Sequence, residues 1–201
     1  MTPTYARISK LSRLALLALL ITTVAGCALN PLSVPVTYQP ASNIAPVPGA
    51  SSVRVRVVGE DQRADKTSVG QYGQQSVATS NNVVDTARDA VQSELQARGF
   101  VIDSAPTSTV VRVQVQRLSG HFFSSLIFSS YTAELIMHVE VERPGKAIAY
   151  SQSFDETDTY HPSAFASVSD DFGAALSGAL TKGVAKLFDD PAFTAALIAR
   201  R

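Results

Sequence analysis

The chain has 201 residues, with 17 basic and 17 acidic side chains, 45% hydrophobic residues and one cysteine. A balanced charge supplies no basic field for nucleic acid, and a single thiol excludes an intrachain disulfide and a thiolate metal cluster. The length suits one domain with a substantial core.

Residues 1–13 carry Arg7, Lys10 and Arg13 with no acid, and Leu14 to Val24 is an apolar run interrupted only by Thr22 and Thr23. A charged segment followed by a short apolar one is the pattern of a signal peptide. Eleven residues make a helix of only about 16 Å, half of the roughly 30 Å needed to span a bilayer. The run ends in Val24-Ala25-Gly26-Cys27, which has the form of a bacterial lipobox. Small residues at Ala25 and Gly26 suit a signal peptidase, and Cys27 is expected to carry the acyl chains that hold the mature protein to a membrane. Ala28 stands where an inner-membrane retention signal would place Asp, so the expected location is the periplasmic face of the outer membrane. Removing residues 1–26 takes away three basic residues and no acid, which leaves the mature chain mildly acidic.

Residues 28–50 hold five of the ten prolines, Pro31, Pro35, Pro40, Pro46 and Pro48. Proline lacks a donor and fixes φ, so the segment 27–50 is expected to be a tether, with a single periplasmic domain over 51–201. Val53, Val55 and Val57 alternate with Arg54 and Arg56 as in a half-buried strand. The stretch from Gly59 to Ser80 reads as a long loop or an irregular hairpin around Gly70 and Gly73. Asn82 is placed to cap a helix with Val84, Ala87, Val91 and Leu95 on one stripe, and Gly99 to stop it with Phe100 folding back. A second strand follows at Val111, Val113 and Val115. A third sets Tyr131, Ala133, Leu135, Met137, Val139 and Val141 against Thr132, Glu134, His138, Glu140 and Glu142. Pro144-Gly145 predicts a tight turn into a partner strand with Ile148, Tyr150 and Phe154. A helix from about Ser169 to Phe188 buries Phe172, Leu176, Ala179, Leu180, Val184 and Leu187, and Asp190-Pro191 opens a short last helix with Phe193, Leu197 and Ile198. The expected fold is an α/β (α+β) two-layer sandwich. Its mainly antiparallel sheet of about four strands is covered by two longer helices and a short C-terminal one.

The lipobox, the segment Gly59, Asp61 and Arg63 after the first strand, the helix end Ala97-Arg98-Gly99-Phe100 and the Asp-rich junction at Asp189-Asp190 together resemble the YajG-type family of bacterial lipoproteins. The resemblance implies an outer-membrane lipoprotein with a small α/β domain and supplies no catalytic residues. The sequence departs from that pattern at residues 119–130, which are unusually aromatic.

That connection holds Phe122, Phe123, Leu126, Ile127 and Phe128, too apolar for a routine solvated turn. It reads either as a contact patch for a partner or lipid, or as strand ends whose rings cap the core. Asp61, Arg63 and Asp65 form a charge-paired loop with a structural or a ligand-binding role. Asp155, Glu156, Asp158 and His161 read as a solvated acidic loop whose spacing matches no metal pattern. His138 falls on the polar strand face beside Glu140. The sequence contains no nucleophile elbow, phosphate loop or zinc-helix motif, and no metal or cofactor is expected. The leading expectation is a non-enzymatic binding or adaptor domain, anchored through acyl chains on Cys27, with an envelope protein, glycan or lipid as partner. An accessory subunit of an envelope transport system for lipid or cell-wall fragments is the alternative. It requires an apolar groove between helix and sheet. A periplasmic hydrolase is the third reading, and it needs a nucleophile, base and acid within reach of one another.

Overall fold

The computed structural model describes residues 30–145, 147–162 and 167–199. The segment 1–26 expected to be a signal peptide, its Val24-Ala25-Gly26 motif and Cys27 lie outside them. The elements in order are β1 (Leu32–Val34), β2 (Arg54–Asp61), β3 (Gly70–Tyr72), β4 (Gln75–Thr79), α1 (Val83–Ala97), β5 (Val101–Ile102), β6 (Thr109–Ser124), β7 (Ser129–Arg143), β8 (Ala147–Tyr160), α2 (Val168–Asp189) and α3 (Pro191–Ile198).

The strand β6 is the axis of the sheet. On one side it pairs antiparallel with β7 along nearly its whole length, and β7 pairs antiparallel with β8 at the edge. Its other side is shared between two strands. β2 runs parallel to residues 109–115 and carries β5 outside it, and β3 runs parallel to Gly120 and His121 and carries β4 and then β1. The sheet is therefore mixed and has eight strands, which corrects the expected four. The α+β class and the three expected helices stand. Strands β1, β3, β4 and β5 have only two to five residues, too few to set up the alternation that marks a strand in sequence.

Both long helices lie on one face. The helix α1 begins as its residues dictate: the Asn82 side chain accepts the amides of Val84 (2.9 Å) and Asp85 (3.3 Å). It ends with Gly99 at φ 91° and the Phe100 amide bonded back to the Leu95 carbonyl, the left-handed stop expected there. α1 rests against β2 at Gly59, where a Cβ would come within 2.7 Å of Val84 Cγ1. α2 starts at the Ser167 cap and buries the predicted stripe, and Gly183 lets it approach the sheet so closely that a Cβ would meet Leu135 Cδ2 at 2.6 Å. α3 is capped by Asp190, whose Oδ1 accepts the Ala192 amide at 2.8 Å and whose Oδ2 accepts the Tyr150 hydroxyl at 2.7 Å. The apolar residues of β2, β6, β7, α1, α2 and α3 form one continuous core.

Two bulges adjust the alternation. One, between Val115 and Arg117, moves the buried phase of β6 from Val111, Val113 and Val115 to Leu118, Gly120 and Phe122. Another, between Val141 and Glu142, leaves Ile148 half exposed while Tyr150 and Phe154 stay in the core.

The segment expected to be a tether is instead built into the domain from Leu32 onward. β1 pairs parallel with β4, and Val34 and Val36 are fully buried. The Asn81 side chain accepts the Val36 amide at 3.0 Å and donates to the Val36 carbonyl at 2.7 Å, acting as a neighbouring strand would. Farther on, the Thr37 amide reaches Ser177 Oγ (2.9 Å), Ala41 reaches Glu94 (3.2 Å) and Val47 reaches the Arg98 carbonyl (2.9 Å). The prolines do keep β1 at the sheet edge, where a missing donor costs nothing.

Candidate functional site

The aromatic connection is the distal part of a long hairpin. β6 and β7 stay in register to Ser124↔Ser129, and the turn Ser125–Phe128 closes through its own groups. The Ser125 amide and hydroxyl both donate to the Phe128 carbonyl (2.9 Å each), and Ser125 Oγ accepts the amides of Ile127 (3.3 Å) and Phe128 (3.1 Å).

The β6 bulge divides the aromatic side chains between two environments. Phe122 turns inward, 4.8 Å from the Tyr72 ring and 4.9 Å from Tyr131, which stands edge-on to Phe172 at 5.8 Å. Burial, with Tyr72 and Asp171 nearby, pushes the Tyr131 hydroxyl up to about 12, so it stays protonated at neutral pH. Phe123 and Phe128 pair with each other at 5.8 Å and are more than half exposed, at 56% and 57%. Leu126 and Ile127 have almost no cover at all. The core-capping reading describes Phe122, whereas Phe123, Leu126, Ile127 and Phe128 form an uncovered apolar tip.

The Asp61 loop is a closed structural knot. Arg63 is buried and grips Asp61 with two parallel bonds, Nε to Oδ1 and Nη2 to Oδ2, both 2.9 Å. The hydrogen bonds from Arg63 hold the Asp61 carboxyl below its ordinary value despite partial burial. Asp65 turns the chain by accepting the Thr67 hydroxyl (2.7 Å) and the amides of Thr67 (2.8 Å) and Ser68 (3.1 Å). The same contacts, hydroxyl first, lower its carboxyl.

The acidic segment is not a loop, because Asp155, Glu156 and Asp158 lie within β8. Glu156 pairs with Lys186, and Asp158 with Lys182 at 2.6 Å, so these carboxylates tie the edge strand to α2. His161 follows the strand end. No group of three potential metal ligands occurs among the described residues.

His138 has more company than the sequence shows. Its Nδ1 lies 2.9 Å from Ser153 Oγ, and its Nε2 lies 3.2 Å from Ser151 Oγ and 3.4 Å from Glu140. These residues face one another as ordinary cross-strand pairs, His138↔Ser153 and Glu140↔Ser151. They stand on the polar face of the sheet, opposite the face that the helices cover. Beside them Arg112 gathers Glu60, Glu140 and Glu142, and Arg117 meets Glu134 at 3.0 Å.

One polar cluster went unrecognised in the sequence: buried Glu94, which accepts from the Tyr38 hydroxyl, the Ala41 amide and Arg98. Arg98 also lies 4.2 Å over the Phe188 ring, which joins the ends of the two long helices. The four-residue spacing of Glu94 and Arg98 was the available signal. The interface between α2 and the sheet is filled by Leu135, Leu176, Leu180 and Val184, all fully buried. A concavity of about 540 Å³ opens at its rim instead, beside Pro35, Tyr160, Gly173 and Gly178.

Residues 40–198 match the model of a family described as uncharacterized lipoprotein. The chain belongs to this YajG-type lipoprotein family. No curated protein matches the sequence of this lipoprotein. Among solved structures it is similar to a protein from Xanthomonas campestris, with TM-score 0.49 and 16% identity over 78% of this chain and 92% of the other. It is also similar to a minor lipoprotein from Acinetobacter baumannii, with TM-score 0.46 and 8% identity over 74% and 96%. A third similar structure is a lipoprotein from Neisseria meningitidis, with TM-score 0.34 and 11% identity over 69% and 99%.

Proposed function

We propose that this lipoprotein is a non-enzymatic binding or adaptor module on the periplasmic face of the outer membrane, anchored through acyl chains on Cys27. One observation carries the reading: the uncovered apolar tip at Phe123, Leu126, Ile127 and Phe128 on a domain whose charged clusters are engaged in structural pairs. Such a surface recognises by apolar burial, and an anchored domain needs little intrinsic affinity because its lipid anchor concentrates it near envelope partners. Photocrosslinking in intact cells, with a probe at Phe123 and then at Phe128, tests this. A discrete envelope adduct is expected at both positions, and the absence of any adduct removes the tip as a recognition surface. The transport-accessory alternative would use the rim concavity beside Tyr160 and Gly178, since the space between helix and sheet is filled.

A further inference from the structure

We infer that the hairpin tip enters the lipid leaflet that holds Cys27, as a second membrane contact that stands the sheet upright on the bilayer. The inference rests on the anchored-lipoprotein reading and names the lipid surface itself as what the tip meets.

The first argument is where the chain leaves the domain. The pairings Leu32↔Val77, Gly70↔Val77 and Gly70↔Gly120 place the start of β1 level with Gly120. β1 is parallel to β4, β4 antiparallel to β3, and β3 parallel to β6, so β1 runs opposite to β6. Followed backward from Leu32, the strand direction therefore points toward the end of the sheet at which the hairpin tip projects.

The second argument is reach. Cys27 stands five residues before Leu32, so its sulfur is within about 17 Å of that level even when the link is fully extended. Acyl chains on Cys27 hold the membrane surface within the same distance. β6 continues four residues past Gly120 to Ser124, about 13 Å at ~3.3 Å per residue, and the turn lies beyond it. A membrane held within that distance is within reach of a hairpin that projects from the same end of the sheet at which β1 begins.

The third argument is the chemistry of the tip. The last level at which the hairpin has a third strand beside it is Phe122↔Tyr131↔Tyr160. Beyond it the two-stranded ribbon continues through Phe123↔Ser130 and Ser124↔Ser129, about 7 Å before the turn, comparable with the depth that interfacial segments occupy. No Asp, Glu, Lys or Arg occurs from Leu118 to Ala133. Backbone groups left unpaired in lipid are costly, and here the amides of Ser125, Ile127 and Phe128 already have partners within the turn. Aromatic rings beside aliphatic side chains match the boundary between headgroups and acyl chains.

The chain contains no tryptophan, so a single introduced indole reports its own surroundings. The mature, acylated protein carrying Ile127→Trp is placed in vesicles of phosphatidylethanolamine and phosphatidylglycerol in which part of the lipid is brominated on its acyl chains. Ile148→Trp, at a half-exposed position at the opposite end of the sheet, is the control. The expected result is a blue shift and bromolipid-dependent loss of emission for Trp at 127 and neither for Trp at 148. Quenching at neither position, or equally at both, overturns the inference. An unquenched indole at 127 together with a protein adduct at Phe128 in cells also overturns it, while leaving the adaptor reading intact. Quenching at 127 without any protein adduct supports it and removes protein recognition from the tip.

Discussion

A carboxylate as deeply placed as Glu94 must be matched at its oxygens, and two parts of the chain supply three donors: the Tyr38 hydroxyl and Ala41 amide from the N-terminal arm, and Arg98 one helical turn on. Burial by itself pushes the Glu94 carboxyl up, but the hydrogen bonds from Tyr38, Arg98 and Ala41 outweigh it and hold the group below its ordinary 4.5. The same contact, added to burial, raises the Tyr38 hydroxyl well above the usual phenol range. Replacing Glu94 with Ala leaves Arg98 and Tyr38 without their partner. Loss of one member of a buried pair costs 3–5 kcal/mol, and because Arg98 retains some water the lower end, about 3 kcal/mol, is expected from urea denaturation at neutral pH. A carboxyl whose value is depressed on folding contributes stability above its unfolded value and loses it as pH falls through the folded one. The urea midpoints of wild type and Glu94→Ala should therefore be far apart above about pH 4.5 and converge as the pH is lowered further. A constant gap across that range would show that the effect of Glu94 is not electrostatic. The Glu94 and Arg98 spacing was legible in the sequence, but Tyr38, 56 residues away, was not, because only the fold brings it there.

Elements with local rules were legible and elements made by pairing were not. The caps at Asn82 and Asp190, the stop at Gly99 and the alternation of β7 each depend on residues within a few positions, and all fall where the sequence puts them. β1 has three residues between Pro31 and Pro35, and its strand character comes from its pairing with β4. Read alone, so short a proline-flanked segment is a tether. The same limit applies to the tip: a two-residue break in the Val115 to Leu118 alternation is the signal of the bulge, and it decides which phenylalanine is buried and which are free. If the arm is structural, changing Val34 and Val36 together to Ser should destabilise the domain by roughly 3 kcal/mol or more, since each fully buried valine is worth about 1.5–3 kcal/mol. Thermal melting of the double variant is the check, and an unchanged melting temperature would return the arm to the role of a tether.

At the scale of the whole molecule the sheet has two unlike faces, one under α1, α2 and α3 and one built of charged and polar cross-strand pairs. That asymmetry was legible in the strict alternation of β7, which is why the α+β class could be read although β1 and β5 could not, and the β3–β4 hairpin around Gly73 only as one of two alternatives. Function was less legible, because the local apolar run at residues 122–128 marks a surface without showing which end of the sheet it shares with the start of β1. Neighbouring residues of β7 test the two faces directly. Leu135 is fully buried beneath Gly183 of α2, whereas Glu134 is partly exposed and pairs with Arg117, itself more than half in water. Leu135→Asp places a carboxylate where the glycine has drawn helix and sheet too close for a water molecule to relieve it, and a loss of about 4 kcal/mol or more is expected. Glu134→Gln removes one member of a solvent-screened pair and should cost less than about 1 kcal/mol. Urea titration of the two variants side by side reads both values. Comparable losses would mean that the polar face is also covered, and the one-sided sandwich would have to be abandoned.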